Sequence, residues 1–327
     1  MLANRLISIA LALAIFQLDA VIPFSFDRLD LPLVILPGFG NDMKDYISPN
    51  GFPERGLTYI LEERGIRSKV VPIERSNWGN IAKGIFLSNF WSGTCSPSEL
   101  YGFYFDAVDR TVREAAAAYD SRVILVGHSA GGWLARGLLG SGNWAGSNTF
   151  ASDLVAGLVT LGAPHLPPND SNTFDVTRGA LSYVHKNYPG AYLNEEIFYV
   201  SVAGSAVTSN RSAPSSSIAG FAYSSYRAVS GLDEPMVGDG VVPLSYAHLD
   251  GALQITLPNA YHSINAPNNA WYGGETLVER WLPQVSRLSR ERSRRRKLIS
   301  FSSLLFNPYR SRYATNGTDY SLPQKRV

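Results

Sequence analysis

The sequence predicts an α/β protein built on a doubly wound, mostly parallel sheet. Short, wholly apolar runs recur along the chain, and helix-compatible stretches separate them, which is the pattern of parallel strands covered on both faces. The chain has 327 residues, of which 45% are hydrophobic and only 17% are charged. It therefore contains enough apolar material for a large core, and these observations favour one α/β domain with terminal extensions.

The predicted elements alternate in order along the chain. An apolar run at residues 31–36 ends in Pro37-Gly38-Phe39-Gly40, which indicates a buried strand that opens into a tight loop. Residues 105–119 place apolar side chains three and four positions apart, which predicts an amphipathic helix, and residues 133–139 are compatible with a second helix. The other predicted strands are residues 70–71, 122–126, 155–161, 197–202 and 253–257.

Residues 1–20 differ from the main domain, which we place at residues 30–285. They contain Arg5, an apolar run of eleven residues and a small residue, Ala20, which indicates a cleaved signal for export to the secretory pathway or for import into an organelle. An uncleaved membrane anchor and a buried N-terminal segment are the alternatives. The single cysteine, Cys95, excludes an intrachain disulfide.

Residues 286–327 form a basic tail that we expect to be disordered. From Arg287 onward the chain has 11 Lys/Arg and 2 Asp/Glu, against 18 and 25 before it. A solvated tail is the favoured interpretation, and contact with an anionic membrane surface is the functional alternative. No aromatic residues alternate with the basic cluster at residues 292–297, so nucleic acid is not expected as a partner.

Two further features concern the surface. Sequons begin at Asn169, Asn210 and Asn316, but they matter only if the chain enters the secretory pathway. Residues 205–217 are rich in serine and include Pro214, which predicts an exposed, flexible loop.

The most informative segment is Gly127-His128-Ser129-Ala130-Gly131, directly after the apolar run at residues 122–126. It has the pattern G-x-S-x-G, in which a serine lies on a sharp turn between a strand and a helix, and glycines relieve the crowding there. The Ser129 hydroxyl would then project above the strand ends, where open α/β sheets bind ligands. Ser129 is therefore the candidate nucleophile, and a glycine-rich turn with an incidental serine is the structural alternative.

A serine nucleophile needs a neighbouring base. Of the five histidines, His262 follows the last predicted strand, where the chain order serine, acid, histidine places the base. His248 is the alternative base, and a helix surface or cap is its structural interpretation. We expect His128 to point away from the Ser129 hydroxyl across the turn.

The base in turn needs an acid that fixes its tautomer. Asp239 lies between two glycines, in Gly238-Asp239-Gly240, and these let the backbone present the carboxylate inward. Asp233 and Asp250 are interpreted as residues of solvated turns. A role for Asp239 as a turn former only is the structural alternative.

Two backbone N–H groups are also required to stabilise the oxyanion. Ala130 follows the nucleophile and supplies one of them. Phe39 lies between Gly38 and Gly40 after the first strand and is predicted to supply the other.

With these features in order, the chain resembles the α/β-hydrolase superfamily, and in particular its lipase-like branch. The segments G-H-S-A-G-G-W-L-A-R (127–136), T-L-G-A-P-H-L-P-P (160–168), G-D-G-V-V-P (238–243) and Y-H-S (261–263) are similar to those of a group in plants, algae and cyanobacteria. The resemblance covers residues 31–282. It implies an α/β-hydrolase fold with helical or loop lid insertions and a triad of Ser129, Asp239 and His262. It also implies a plastid as one destination of the N-terminal targeting segment.

Two segments rich in aromatic residues are candidates for an acyl-binding groove. They are residues 78–105 and the long stretch between the strands that end at Leu161 and begin at Leu253. Core or lid packing is the favoured interpretation of both.

Hydrolysis of carboxylic esters, with lipid-like acyl esters as substrates, is the predicted function. A lipid acyltransferase with the same triad and a non-catalytic ligand-binding protein are the alternatives. No histidine pair has zinc spacing, and no glycine-rich turn has a phosphate-binding pattern. We therefore expect neither a metal nor a cofactor, and the sequence leaves the oligomeric state open.

Overall fold

The computed structural model describes residues 29–142, 151–169 and 175–305. The predicted targeting segment, the sequon at Asn316 and residues 306–327 of the basic tail lie outside these ranges. Among the described helices, none combines the length and the apolar character needed to cross a bilayer.

Six parallel strands form the central sheet. They are β1 (Leu33–Leu36), β2 (Ser68–Val70), β3 (Val123–His128), β4 (Val155–Leu161), β5 (Phe198–Gly204) and β8 (Leu253–Leu257), in the order β2-β1-β3-β4-β5-β8. Two short strands, β6 (Val207–Thr208) and β7 (Val237–Gly238), pair antiparallel in a second sheet. The predicted parallel α/β fold is confirmed.

The register brings the carboxyl ends of the central strands to one edge of the sheet. In β3, Gly127 pairs with Leu36 of β1 and with Thr160 of β4. The loops that follow β1 and β3 therefore begin side by side. Ligands of open α/β sheets bind at this edge.

Helices cover both faces of the sheet. They are α1 (Lys44–Ile47), α2 (Leu57–Glu62), α3 (Ser88–Ser92), α4 (Pro97–Tyr119), α5 (Ala130–Ser141), α6 (Ala151–Leu154), α7 (Ala180–Asn187), α8 (Ile218–Ser230), α9 (Leu244–Ala247) and α10 (Glu275–Leu305). Short 3₁₀ segments lie at Pro49–Gly51, Pro53–Arg55, Arg75–Phe86 and Pro267–Asn269.

Alternate residues of the strands build two separate cores. Val34 and Leu125 belong to the core that includes side chains of α4 and α5. Ile35 and Ile124, one position away on the same strands, belong to the core that includes side chains of α2 and α10. Because both faces of the inner strands β1, β3, β4 and β5 are buried, these strands are largely apolar. The edge strands β2 and β8 carry exposed polar residues such as Lys69 and Gln254.

The predicted tail differs from the structure at residues 286–305, since α10 continues through them. Ser286 and Ser289 are buried, and Leu288 packs against the core. The helical repeat therefore persists beyond residue 285, and arginine, a good helix former, occupies the outer positions. The increase in basic residues does not mark the end of the folded part.

The predicted exposed loop at residues 205–217 is wrong for its first part. Val207 belongs to β6, and both Val207 and Ser209 are buried. The Ser209 N–H donates to the carbonyl of Met236 at 2.8 Å. Pairing with β7 thus orders a segment whose composition is typical of a loop.

Candidate active site

Ser129 lies on the turn between β3 and α5. Its backbone has φ 52° and ψ −125°, a conformation that residues other than glycine rarely adopt. Its N–H donates to the carbonyl of Leu161 at 2.9 Å. A Cβ at Gly127 would lie 2.5 Å from the Cα of Gly132, so this tight turn requires glycine there. The local backbone thus holds Ser129 at the carboxyl edge of the sheet.

His262 lies in the loop after β8 and reaches Ser129. Its Nε2 is 2.9 Å from Ser129 Oγ, and its Nδ1 is 2.7 Å from Asp239 Oδ2. The His262 N–H donates to the backbone carbonyl of Asp239 at 2.9 Å, which fixes the two loops together. With the proton on Nδ1 facing the carboxylate, Nε2 is free to accept the hydroxyl proton of Ser129.

The Asp239 carboxylate is fully buried and has four hydrogen-bond donors. Its Oδ1 accepts the N–H groups of Val241 (3.0 Å) and Val242 (2.8 Å). Its Oδ2 accepts His262 Nδ1 and the hydroxyl of Tyr272, both at 2.7 Å. Burial raises the pKa of Asp239, but His262 and these hydrogen bonds more than offset it and lower the pKa below its usual value. The carboxylate is therefore charged at neutral pH.

The predicted oxyanion donors lie on two segments that meet at Ser129. A Cβ at Gly38 would be only 2.8 Å from Ser129 Cβ, so the loop after β1 passes directly beside the serine. Among the described residues, the N–H groups of Phe39 and Ala130 have no acceptor. Tyr104 supports the loop by donating its hydroxyl proton to the carbonyl of Pro37 at 2.7 Å. Both N–H groups are therefore available to an external oxygen.

His128 is buried behind Ser129 and joins the two loops that flank it. Its Nε2 lies 3.1 Å from the carbonyl of His262, which can only accept, so Nε2 is protonated. Its Nδ1 then accepts the hydroxyl proton of Tyr46 at 2.9 Å, and Tyr46 Oη accepts the N–H of Gly38 at 2.9 Å. Burial, and to a smaller extent the charge of His262, lower the pKa of His128 to about 3, so the ring is neutral.

Sequence reasoning missed Tyr46 and Tyr272, which hold the site together. Tyr46 precedes His128 by 82 residues, and Tyr272 follows Asp239 by 33. Neither tyrosine belongs to a motif with a fixed spacing from the nucleophile. Only the fold places their hydroxyls in the site.

The alternative base, His248, and the other two acids considered, Asp233 and Asp250, lie outside this cluster. His248 Nε2 lies 3.0 Å from Thr256 Oγ1, next to the end of α9. Asp233 accepts a hydrogen bond from the hydroxyl of Tyr223 at the surface, and Asp250 is exposed. Within the described ranges, no three His, Cys, Asp or Glu side chains are grouped as metal ligands.

His165 is a second buried histidine outside this cluster. Its Nε2 lies 3.0 Å from Thr160 Oγ1, and its Nδ1 lies 3.1 Å from a guanidinium nitrogen of Arg136. Burial and the charge of Arg136 lower its pKa well below the usual value. The Arg136 guanidinium also donates to the carbonyl of Tyr188 at 2.9 Å, so this network connects α5 to the end of α7.

A cavity of about 480 Å³ opens beside His262, a volume typical of small-molecule sites. The residues that line it lie between positions 207 and 267 and include Ile218 and Phe221 of α8. A second space, of about 420 Å³, shares Phe221, Val241 and His262 with the first and extends to the ion pair of Arg75 and Asp45.

The two aromatic segments divide between core and surface. In the first, Trp78 and Phe105 are buried in the core, whereas Phe86 and Trp91 are 86% and 70% exposed. The second segment does line the cavity, through residues such as Phe221.

Part of the chain matches a known family model. Residues 99–229 match the family model described as "PGAP1-like alpha/beta domain", a segment that includes Ser129 and ends before Asp239. No curated protein matches the sequence significantly.

Three solved structures are similar over most of the chain. The mature form of a Bacillus licheniformis lipase is 15% identical, with a TM-score of 0.45 over 79% of this chain and 93% of that one. A metagenomic carboxyl esterase is 15% identical, with a TM-score of 0.46 over 80% and 76% of the two chains. The esterase domain of a Rhodothermus marinus protein is 12% identical, with a TM-score of 0.41 over 79% and 88%. The similarity to a plant, algal and cyanobacterial group stays a prediction.

Proposed function

The chain is a protein of the α/β-hydrolase fold, and on this premise we propose that it is a serine hydrolase that cleaves carboxylic esters through an acyl-enzyme on Ser129. One observation carries the proposal. Ser129 Oγ lies 2.9 Å from Nε2 of His262, whose Nδ1 lies 2.7 Å from the buried carboxylate of Asp239. This is the geometry of a nucleophile, its base and the acid that orients the base.

In the first step, Ser129 Oγ attacks the ester carbonyl carbon and His262 Nε2 takes the hydroxyl proton. The carbonyl oxygen becomes an oxyanion that accepts the N–H groups of Phe39 and Ala130. The bond between the carbonyl carbon and the alcohol oxygen then breaks, and His262 gives its proton to that oxygen. The products of this step are a free alcohol and an acyl group on Ser129.

In the second step, water replaces the alcohol. His262 removes a proton from the water as its oxygen attacks the acyl carbon. The bond to Ser129 Oγ breaks, His262 returns a proton to that oxygen, and a carboxylic acid leaves. Asp239 stays ionised throughout and stabilises the imidazolium of His262.

An ester with an apolar portion is the substrate that the surroundings of His262 favour. Ile218 and Phe221, which line the 480 Å³ cavity, are 60% and 56% exposed. Covering them with an apolar substrate removes apolar surface from water. This supports a lipid-like ester.

Labelling with a fluorophosphonate probe tests the proposal. We expect the wild type to be labelled and Ser129→Ala, Asp239→Asn and His262→Ala to lose labelling. Ser98→Ala, on the exposed start of α4, is the matched control and should label like the wild type. An unlabelled wild type, or labelling that persists in Ser129→Ala, would contradict the proposal and favour a ligand-binding protein.

A panel of p-nitrophenyl esters of increasing acyl length gives an independent measurement. We expect turnover of at least some members by the wild type and none by Ser129→Ala. Product analysis with an added alcohol then separates water from an alcohol as the acceptor of the acyl group.

A further inference from the structure

We infer that the cavity between α8 and the His262 loop holds the alcohol half of the substrate, so that the preferred substrates are esters of a bulky, uncharged, apolar alcohol. This inference rests on the proposed hydrolysis at Ser129. It adds which half of the ester is selected and which residues select it.

The stereochemistry of the intermediate decides which half of the ester lies where. Its central carbon carries Ser129 Oγ, the oxyanion, the leaving oxygen and the acyl chain. The oxyanion faces the N–H groups of Phe39 and Ala130, whereas the leaving oxygen faces His262 Nε2, which must give it a proton. The alcohol half therefore extends from the position of His262.

The cavity lies on this side of the reacting carbon. Its lining includes His262, its neighbours Tyr261 and Ser263, and residues of α8. All lining residues lie between 207 and 267, after β5, whereas Phe39 follows β1 and Ala130 follows β3. Among the described residues that line it are neither Ser129 nor the two oxyanion donors. A group that leaves past His262 enters this space.

Apolar side chains in the lining of the cavity suit an apolar alcohol. The side chains that face the cavity include Val207, Ile218, Phe221, Val241, Ala266 and Pro267. Ile218 and Phe221 lie one helical turn apart on α8, so they cover the same face of that helix. Both are more than half exposed, and a bulky alcohol would cover them.

The charges around the cavity favour an uncharged ligand. The titratable side chains of its lining are Asp239, His262 and Tyr261, and Asp239 and His262 are already paired with each other. The other polar side chains of the lining are uncharged: Ser215, Ser216, Ser217, Ser263 and Asn265. In the adjoining space, Arg75 donates to both carboxylate oxygens of Asp45, at 2.6 and 2.7 Å. Neither space offers a charged group without a partner of opposite charge among these residues.

Two series of esters test the inference. The first is acetates of methanol, butanol, cyclohexanol and 2-naphthylmethanol, and the second is methyl esters of acyl chains from acetate to palmitate. We expect kcat/KM to rise at least tenfold with the size of the alcohol, since each methylene in an apolar pocket contributes to transition-state binding. We expect a weaker dependence on the acyl chain.

Variants assign the selectivity to the cavity. Ile218→Trp fills it and should lower the ratio of kcat/KM for cyclohexyl over methyl acetate about tenfold. Phe221→Ala enlarges it and should shift the preference toward the naphthylmethyl ester. Phe52→Ala removes an exposed phenylalanine that lines neither space and should leave the ratio unchanged. Cyclohexanol alone should inhibit the wild type competitively, and Ile218→Trp more weakly.

The failures are distinguishable. Turnover that follows acyl length and ignores the alcohol overturns this inference alone, as does an unchanged alcohol preference in both α8 variants. Absence of turnover with every ester, together with absence of probe labelling, overturns the proposed function and this inference with it.

Discussion

Tyr272 supports the candidate active site, although it lies far from Ser129 in the sequence. Its hydroxyl accepts the N–H of Gly204 at 2.7 Å and donates to Asp239 Oδ2 at 2.7 Å. Both tyrosine and carboxylate are buried. The hydroxyl therefore helps to keep a charged group in the interior, where a carboxylate without such donors would become protonated.

Replacing Tyr272 with phenylalanine removes one donor from this carboxylate. A hydrogen bond to a charged group contributes about 1.5–3 kcal/mol, so we expect kcat to fall by about tenfold or more and the pKa of Asp239 to rise. The measurements are ester turnover and urea unfolding. Tyr223→Phe, whose hydroxyl contacts Asp233 at the surface, is the control. Equal kcat in Tyr272→Phe and the wild type would show that Asp239 is oriented without this hydroxyl.

The loop after β1 has little room to move beside Ser129. Gly38 lies against both Ser129 and the carbonyl of His128, to which an added Cβ would approach within 2.8 and 3.1 Å. Gly38 also donates its N–H to Tyr46. A displacement here moves the N–H of Phe39, which is the next residue.

Gly38→Ala should therefore impair catalysis more than folding. A shift of about 1 Å in a reacting group can lower the rate about 100-fold, and we expect a loss of kcat of that order. Gly102→Ala, on α4, is the control, since an added Cβ meets nothing within 4 Å. The comparison of kcat with the unfolding midpoint separates the two effects. If Gly38→Ala has the kcat of Gly102→Ala, the loop is more pliable than its contacts indicate.

Helix α10 is attached to the sheet by Arg292 near its basic end. The guanidinium donates to the carbonyls of Glu195 (2.7 Å), Asn194 (2.5 Å) and Ile197 (3.2 Å), which precede β5. This is the amino end of that strand, so the basic part of α10 lies at the edge of the sheet opposite Ser129.

Arg292→Ala should destabilise the fold without changing the chemistry. We expect the free energy of unfolding to fall by about 1–3 kcal/mol, since charged hydrogen bonds to backbone carbonyls are lost. We expect kcat/KM to stay within about a factor of two of the wild type, because mutations at distant sites usually act independently within such a margin. Arg294→Ala, on the exposed side of the same helix, is the control. A large loss of activity in Arg292→Ala alone would mean that α10 is coupled to the active site.

The same element shows where sequence reasoning failed. The inner strands were predictable because burial on both faces makes them largely apolar, as in β4 with all seven residues buried. The end of the domain was not predictable. The run of arginines after residue 286 does not indicate that Leu288 packs inward, or that Arg292 donates to a carbonyl about 95 residues earlier in the chain.

At the scale of the whole molecule, the site is assembled from distant parts of the chain. The sequence identified Ser129, Asp239 and His262 because a motif and the chain order define their positions, and the structure brings their side chains together. Of their supports, Tyr272 donates to Asp239, and Tyr46 bonds to His128, which lies beside Ser129. Both tyrosines are far from these partners in the sequence. Such contacts depend on three-dimensional packing, so no local pattern predicts them.

The buried histidines predict how the whole fold responds to acid. In the folded protein the pKa of His128 is lowered to about 3 and that of His165 lies well below its usual value of 6.5. Below pH 6.5 these histidines bind protons in the unfolded chain but not in the folded chain. Their contribution to the free energy of unfolding is therefore fully present above pH 6.5 and falls as the pH decreases. Each histidine contributes a slope of about 1.4 kcal/mol per pH unit. Asp239, whose pKa is also lowered, adds to the loss only below pH 3.8.

We therefore expect the free energy of unfolding in urea to fall by about 2–3 kcal/mol between pH 6 and pH 5, since His128 and His165 differ by about one proton each between the states. Burial also lowers the pKa of His248, which adds to the loss in the same direction. His128→Gln should lower this slope by about 1.4 kcal/mol per pH unit whatever its effect on stability at pH 7, because it removes one of these groups. His185→Gln, in α7 and exposed, is the matched control. Stability that stays constant from pH 7 to pH 5 would mean that both rings gain protons without unfolding, and the hydrogen-bond directions assigned to His128 would then be wrong.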